Sequence, residues 1–126
     1  MEVVEALKDI SQIEAMKKYL KEHSQRDYLL FVIGINTGLK ITELLSMKFE
    51  DVLNEDGTVK EFYTLPVKDE KFKQDIYLNT KVKEALLDYV QSIGIKRENY
   101  VFQSNKTPNS ITRQQAYRVI HNAAEA

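Results

Sequence analysis

Cysteine and tryptophan are absent from this 126-residue chain. Without thiols there is no disulfide, no zinc–thiolate centre and no cysteine nucleophile. The two histidines, His23 and His121, are far apart, and no His/Asp/Glu group has the spacing of metal ligands. No metal and no cofactor are therefore expected. A glycine-rich phosphate loop with its lysine is missing, and so is a GxSxG nucleophile turn. Long apolar runs are missing too. The longest nearly continuous one covers residues 28–35, far short of the ~18 residues of a membrane span. The start, Met1-Glu2-Val3-Val4-Glu5, is acidic and has no apolar signal segment. A domain in the cytoplasm, with no membrane partner, is the expectation.

Excess charge of one sign is also lacking, since the formal net charge is −1. The distribution is less even. Residues 31–66 hold three basic and six acidic side chains, whereas residues 96–126 hold five basic and two acidic ones. Such a chain can present one basic and one acidic face. With 43% hydrophobic, 29% charged, four glycines and two prolines, the composition is globular. One domain over residues 1–126 is expected, hiding roughly 65% of its unfolded surface.

The periodicities give an α+β order, mainly helical with a small three-stranded antiparallel sheet. Ser11-Gln12-Ile13-Glu14 has capping-box spacing, and a first helix is predicted over 12–22. Ser24 caps a second helix with a nearly all-apolar centre, Leu29 to Ile35, and Gly38 stops it in a left-handed conformation. Thr42 is read as the cap of a short helix over 43–47. Strands are predicted over 49–53, 59–67 and 75–78, with a turn at Asn54-Glu55-Asp56-Gly57 and with Pro66 marking an edge or an end. Asn79 or Thr80 opens a further helix that Gly94 can stop. Thr112-Arg113-Gln114-Gln115 is a second capping box, and the last helix carries Ala116, Val119, Ile120 and Ala123.

Two basic positions stand out by context. Lys40 lies between a helix end and a helix start, where a cation and backbone N–H groups together favour an anion such as phosphate. The plainer reading is a solvated turn lysine. Lys68 opens a charged tip with Lys71 and Lys73, which can reach a nucleic-acid groove. Asp69 and Glu70 support the plainer reading of a solubilising turn.

Taken together, Asp27-Tyr28-Leu29-Leu30-Phe31-Val32-Ile33-Gly34-Ile35-Asn36 and Thr37-Gly38-Leu39-Lys40-Ile41-Thr42-Glu43-Leu44-Leu45 resemble the first catalytic box and flanks of the tyrosine recombinase, or phage integrase, family. Residues 68–78 resemble the family's lysine-bearing β-hairpin. Ile111-Thr112-Arg113-Gln114-Gln115-Ala116-Tyr117-Arg118 resembles the helix start before its second box. The resemblance runs from about residue 10 onward and implies part of a tyrosine recombinase catalytic fold.

In that family a tyrosine attacks a DNA phosphate and forms a phosphotyrosyl link. Arginines stabilise the transition state, and a hairpin lysine protonates the leaving oxygen. The resemblance implies that Lys40 stands in the place of the first catalytic arginine and that Glu43 supports it. Lys68 is the general acid, with Lys71 as the alternative. It also implies double-stranded DNA as partner, contacted through Arg113, Arg118 and Lys73.

Two departures matter. Lysine at position 40 keeps the charge but loses the planar two-pronged contact of arginine. The family's second box and terminal tyrosine have no counterpart here. Tyr117 lies too early to be the nucleophile and His121 too early to be a box histidine. The expectation is thus a truncated catalytic domain from a bacterium or phage. It serves DNA recombination and integration through DNA binding and a partial active site, forms no nucleophile and is not cleavage-competent alone. It would self-associate through the face that the absent half would cover. Alternative readings are a non-catalytic DNA-binding or regulatory module and a helical protein-interaction domain without a DNA role.

Overall fold

The computed structural model describes residues 10–66, 74–94 and 96–125. Helix α1 covers Ile10–His23. Ser11 is thus inside the helix rather than at its cap. Met16 and Leu20 form its buried stripe.

Helix α2, Gln25–Thr37, is the centre of the fold. Leu29, Leu30, Phe31, Val32, Ile33 and Gly34 are consecutive and buried. Its β-branched residues lower helix propensity by a few tenths of a kcal/mol each. Burial of side chains worth about 1.5–3 kcal/mol apiece outweighs that. Both ends are capped as the sequence predicts. The Ser24 hydroxyl accepts from the Asp27 N–H at 3.3 Å. Gly38 adopts φ 72°, and its N–H donates to the Gly34 carbonyl at 3.0 Å. A left-handed residue is cheap only as glycine.

Helix α3, Ile41–Leu45, starts earlier than expected. Lys40, not Thr42, is its N-cap, with an extended backbone at φ −71° and ψ 154°. Helix α4, Phe49–Val52, replaces the first predicted strand. The Asp51 carboxylate accepts from the Lys48 N–H at 2.9 Å. The next two N–H groups, of Phe49 and Glu50, donate to the carbonyls of Asn99 and Arg97. Phe49, Val52 and Leu53 are buried together. A short apolar run fits a helical turn as well as a strand, and tertiary capping decided it. Among the described residues one isolated bridge, Leu53 with Val59, joins the expected first and second strand segments, and another links Lys48 with Tyr100.

Strands β1, Phe62–Leu65, and β2, Gln74–Tyr77, pair antiparallel, with Tyr63 opposite Ile76 and Thr64 opposite Asp75. Among the described residues the sheet therefore has two strands rather than three. β1 stops just before Pro66, as proline's missing N–H requires.

Helix α5, Thr80–Ser92, is capped by Asn79, whose side chain accepts from the Val82 N–H at 3.0 Å. It ends on an extended Ile93, one residue before Gly94, so no left-handed glycine is used there. Helix α6, Arg113–Glu125, opens on the predicted box. Thr112 N–H donates to Gln115 Oε1 at 2.8 Å, and Gln115 N–H donates to Thr112 Oγ1 at 3.1 Å. Helix α2 packs against α1, α5, α3 and α6, which sets all four around one core.

Asn79 also donates through Nδ2 to Asn36 Oδ1 at 2.9 Å, which ties the start of α5 to the last turn of α2. Asn79→Ala removes both the cap and this tie. It is expected to destabilise the domain by about 1–2 kcal/mol, read from urea unfolding.

Candidate functional site

The Gly38 turn sends the chain off the end of α2 and directly into α3. Leu39 and Ile41 are buried on either side of an exposed Lys40. Two apolar anchors thus fix the backbone of a lysine whose side chain faces solvent. Glu43 Oε1 accepts from the Lys40 N–H at 2.8 Å. The carboxylate acts as the returning half of a capping box and sits in the first turn, where the helix dipole favours it. Lys40 Nζ has no ion pair among the described residues. Its charge is free to meet an external anion.

Thr42, Leu45 and Ser46 of this turn and helix line an open groove of about 480 Å³. The opposite wall is Tyr100, Asn109, Ser110, Ile111, Thr112 and Arg113. Hydroxyls of Thr42, Ser46, Ser110 and Thr112, an amide and a guanidinium suit the oxygens of a phosphate backbone. Arg113 also lies over the Tyr117 ring, 5.9 Å from its centroid. The structure therefore brings Arg113 to the groove beside the Lys40–Glu43 turn, although the two segments are some seventy residues apart in sequence.

Arg118 is elsewhere. Five residues further along α6, it faces a second hollow of about 230 Å³ with Arg26, Ser104, Asn105 and Lys106. Arg26 is neutralised by Asp27 at 2.9 Å and donates to the Gln103 carbonyl at 3.2 Å. Lys106 and Arg118 have no ion pair among the described residues. Arg113 and Arg118 thus line two different hollows. Lys68, Lys71 and Lys73 lie outside the described residues, in the sequence between β1 and β2.

Sequence reasoning missed Ser46, Tyr63 and the wall formed by Tyr100 and Ser110. Ser46 Oγ donates to the Glu43 carbonyl at 2.8 Å and closes α3. Tyr63, on β1, is 1% exposed, and among the described residues no hydrogen-bond partner is found for its hydroxyl. Burial pushes the Tyr63 phenol above its usual range, and the Asp51 carboxylate adds to the rise. A tyrosine in a strand reads as core, and nothing in the sequence marks its hydroxyl as lacking a partner.

Comparison with known proteins adds to this geometry. The family model for the phage integrase family matches residues 6–126. A Bacillus subtilis protein described as "Probable integrase/recombinase YoeC" is 32% identical over 126 residues, which is 100% of this chain and 66% of that protein. A tyrosine recombinase of Pseudothermotoga lettingae is 30% identical over 96 residues, 75% of this chain and 31% of the relative. The crystal structure of XerA recombinase superposes with a TM-score of 0.71 at 18% identity, covering 93% of this chain and 40% of that one. A DNA-bound lambda integrase structure gives a TM-score of 0.65 at 13% identity, covering 92% and 40%. At those identities the two structures speak for the fold. The chain spans just under two thirds of one sequence relative and about a third of the other.

Glu43→Ala leaves the Lys40 N–H without its acceptor and is expected to cost about 1 kcal/mol in urea unfolding. Glu43→Gln keeps an acceptor oxygen and should recover most of that loss.

Proposed function

The chain belongs to the phage integrase family, and from that premise we propose that it binds duplex DNA through the Lys40 turn and the groove wall holding Arg113. In this reading it supplies part of a recombinase active site. The observation that carries it is an exposed, unpaired lysine held at a rigid helix start beside a hydroxyl-rich groove. The DNA-bound state of the lambda integrase structure supports the choice of ligand. Lys40 provides charge to the phosphate, Glu43 fixes the turn, and Arg113 and Arg118 make contacts in two hollows. Lys68, with Lys71 as alternative, is the proton donor to the leaving oxygen, and Lys73 adds a backbone contact. The setting is the cytoplasm of a bacterium or a phage-infected cell. Among the described residues no helix is long and apolar enough to cross a membrane.

We propose further that this polypeptide alone does not cleave DNA, a reading that rests on the family resemblance of its first box and hairpin region. A non-catalytic DNA-binding role is the second reading. Lysine at position 40 favours it, since a point charge grips a phosphate less specifically than a guanidinium does.

Self-association belongs to the same proposal. Phe62 and Tyr77 support it, as an exposed cross-strand aromatic pair 51% and 54% accessible with ring centroids 5.7 Å apart. Light scattering at high concentration should show a dimer, and a monomer there refutes this part.

Gel shifts across a salt series test the DNA reading. Affinity should fall steeply with salt, and Arg113→Ala should flatten the log–log slope by about one unit. Lys40→Arg should bind more tightly. Denaturing gels of the same mixtures should show no covalent adduct. Absence of binding at low salt would leave the protein-interaction reading in place.

A further inference from the structure

The hollow beside Arg118 is rich in hydrogen-bond donors and poor in free acceptors. Its walls include Arg26 at the start of α2, Ser104 and Lys106 of the loop before α6, and Gln115 and Arg118 of α6. Three of the residues that line it are cations and none is a carboxylate, in a chain whose formal net charge is −1. Asp27, which does not line the hollow, offsets the charge of Arg26. The excess positive charge therefore comes from Lys106 and Arg118, which have no ion pair among the described residues.

Hydrogen bonding sorts the polar atoms the same way. Arg26 Nε donates to Asp27 Oδ1 at 2.9 Å, and Nη1 donates to the Gln103 carbonyl at 3.2 Å. These two bonds hold the guanidinium plane, and three of its five N–H donors remain. Gln115 Oε1 is engaged by the Thr112 N–H at 2.8 Å, which leaves the amide NH2. Ser104 Oγ accepts from the Lys106 N–H at 3.1 Å and keeps its own O–H proton. Asn105 also lines the hollow and can turn its NH2 inward. Such a surface favours an oxyanion, whose oxygens accept charge-assisted bonds from several sides. Because Arg26 is already held, little ordering of that side chain is needed when the anion arrives.

We infer that this hollow is a second phosphate seat, in which Arg26, Lys106 and Arg118 hold one backbone phosphate of the duplex, distinct from the phosphate reached by Arg113. Arg113 and Arg118 both lie on α6. Five residues separate them by about 7.5 Å along the helix axis and about 140° around it, so one phosphate does not serve both. The loop that supplies Ser104 and Lys106 here supplies Asn109 and Ser110 to the Arg113 groove. The two sites adjoin through that short loop, and a polyanion extending across it reaches both. Two seats fix the orientation of the bound strand, which one contact does not. That the phosphate belongs to DNA rests on the DNA reading above.

The test uses the full chain, with a short duplex in gel shifts over a salt series and inorganic phosphate as a separate probe. Lys106 is exposed, so Lys106→Ala should leave the melting temperature unchanged. Its DNA affinity should fall about fivefold, and the slope of log affinity against log salt should flatten by about one unit. Lys18→Ala removes an exposed lysine from a different groove and should leave that slope unchanged. Combined with Arg113→Ala, the Lys106→Ala loss should multiply in full. Combined with Arg118→Ala it should shrink, because those two side chains share a phosphate. Inorganic phosphate should shift the backbone amide signals of residues 104–106 in NMR spectra, and the double variant Lys106→Ala, Arg118→Ala should abolish the shifts. DNA binding with an unchanged slope in Lys106→Ala overturns this inference alone, and so does an equal loss in Lys18→Ala. Failure of the unaltered chain to bind DNA refutes the DNA reading. Phosphate-induced shifts at residues 104–106 in that case reject DNA as the source and assign the seat to free phosphate, whereas their absence overturns the seat as well.

Discussion

The rest of the structure depends on one helix that has almost no polar face. Six consecutive residues of α2 are buried, so neighbours must cover it on every side. Helices α1, α3, α5 and α6 all do so. An element this apolar can be held in register only at its ends. Ser24 holds one end and Gly38 the other. The second cap has the larger effect, because a left-handed residue reverses the chain direction sharply. It sends the next three residues across the end of the core, with Leu39 and Ile41 buried and Lys40 outside. The most interesting cation is therefore placed by the packing of its apolar neighbours.

Electrostatics then refine what packing places. The backbone N–H of Lys40 is bound by Glu43, but the side chain is not. An ion pair between the two side chains would have spent the lysine's charge internally, as Asp27 does for Arg26. Using the carboxylate on the backbone instead keeps a neutral local sum and a free ammonium group. The same device recurs at Lys48 and Asp51, although Lys48 Nζ lies over the Tyr100 ring, 5.3 Å from its centroid. Two lysine-capped turns in succession thus present different chemistry, one open to solvent and one held on an aromatic face.

Much of the helical frame was legible in the sequence because its signals are local. Ser24, Gly38, Asn79 and the Thr112–Gln115 box act within a few residues of themselves, and each sits where its spacing implied. The stretch 49–53 was misread as a strand because its deciding partners, the carbonyls of Arg97 and Asn99, are nearly fifty residues away. Lys40 and Glu43 were legible as a turn and as a family box. The gathering of Arg113 with Thr42 and Ser46 was not, because it depends on how α6 crosses α3. The separation of Arg113 from Arg118 follows from their five-residue spacing around a helix and was available in principle. The unsatisfied Tyr63 hydroxyl was not, because satisfaction is a property of three-dimensional neighbours.

The capping of α4 by the segment around Arg97 and Asn99 has a consequence for how the domain is assembled. A four-residue helix has too few internal bonds to persist by itself. Its exposed N–H groups find acceptors only after the chain has passed through the hairpin and α5. Closing a loop of that length costs entropy that the capping contacts and the packing around them must offset. Helix α4 is for that reason a product of the chain's wider condensation, and a peptide ending before Arg97 would lack the acceptors that cap it.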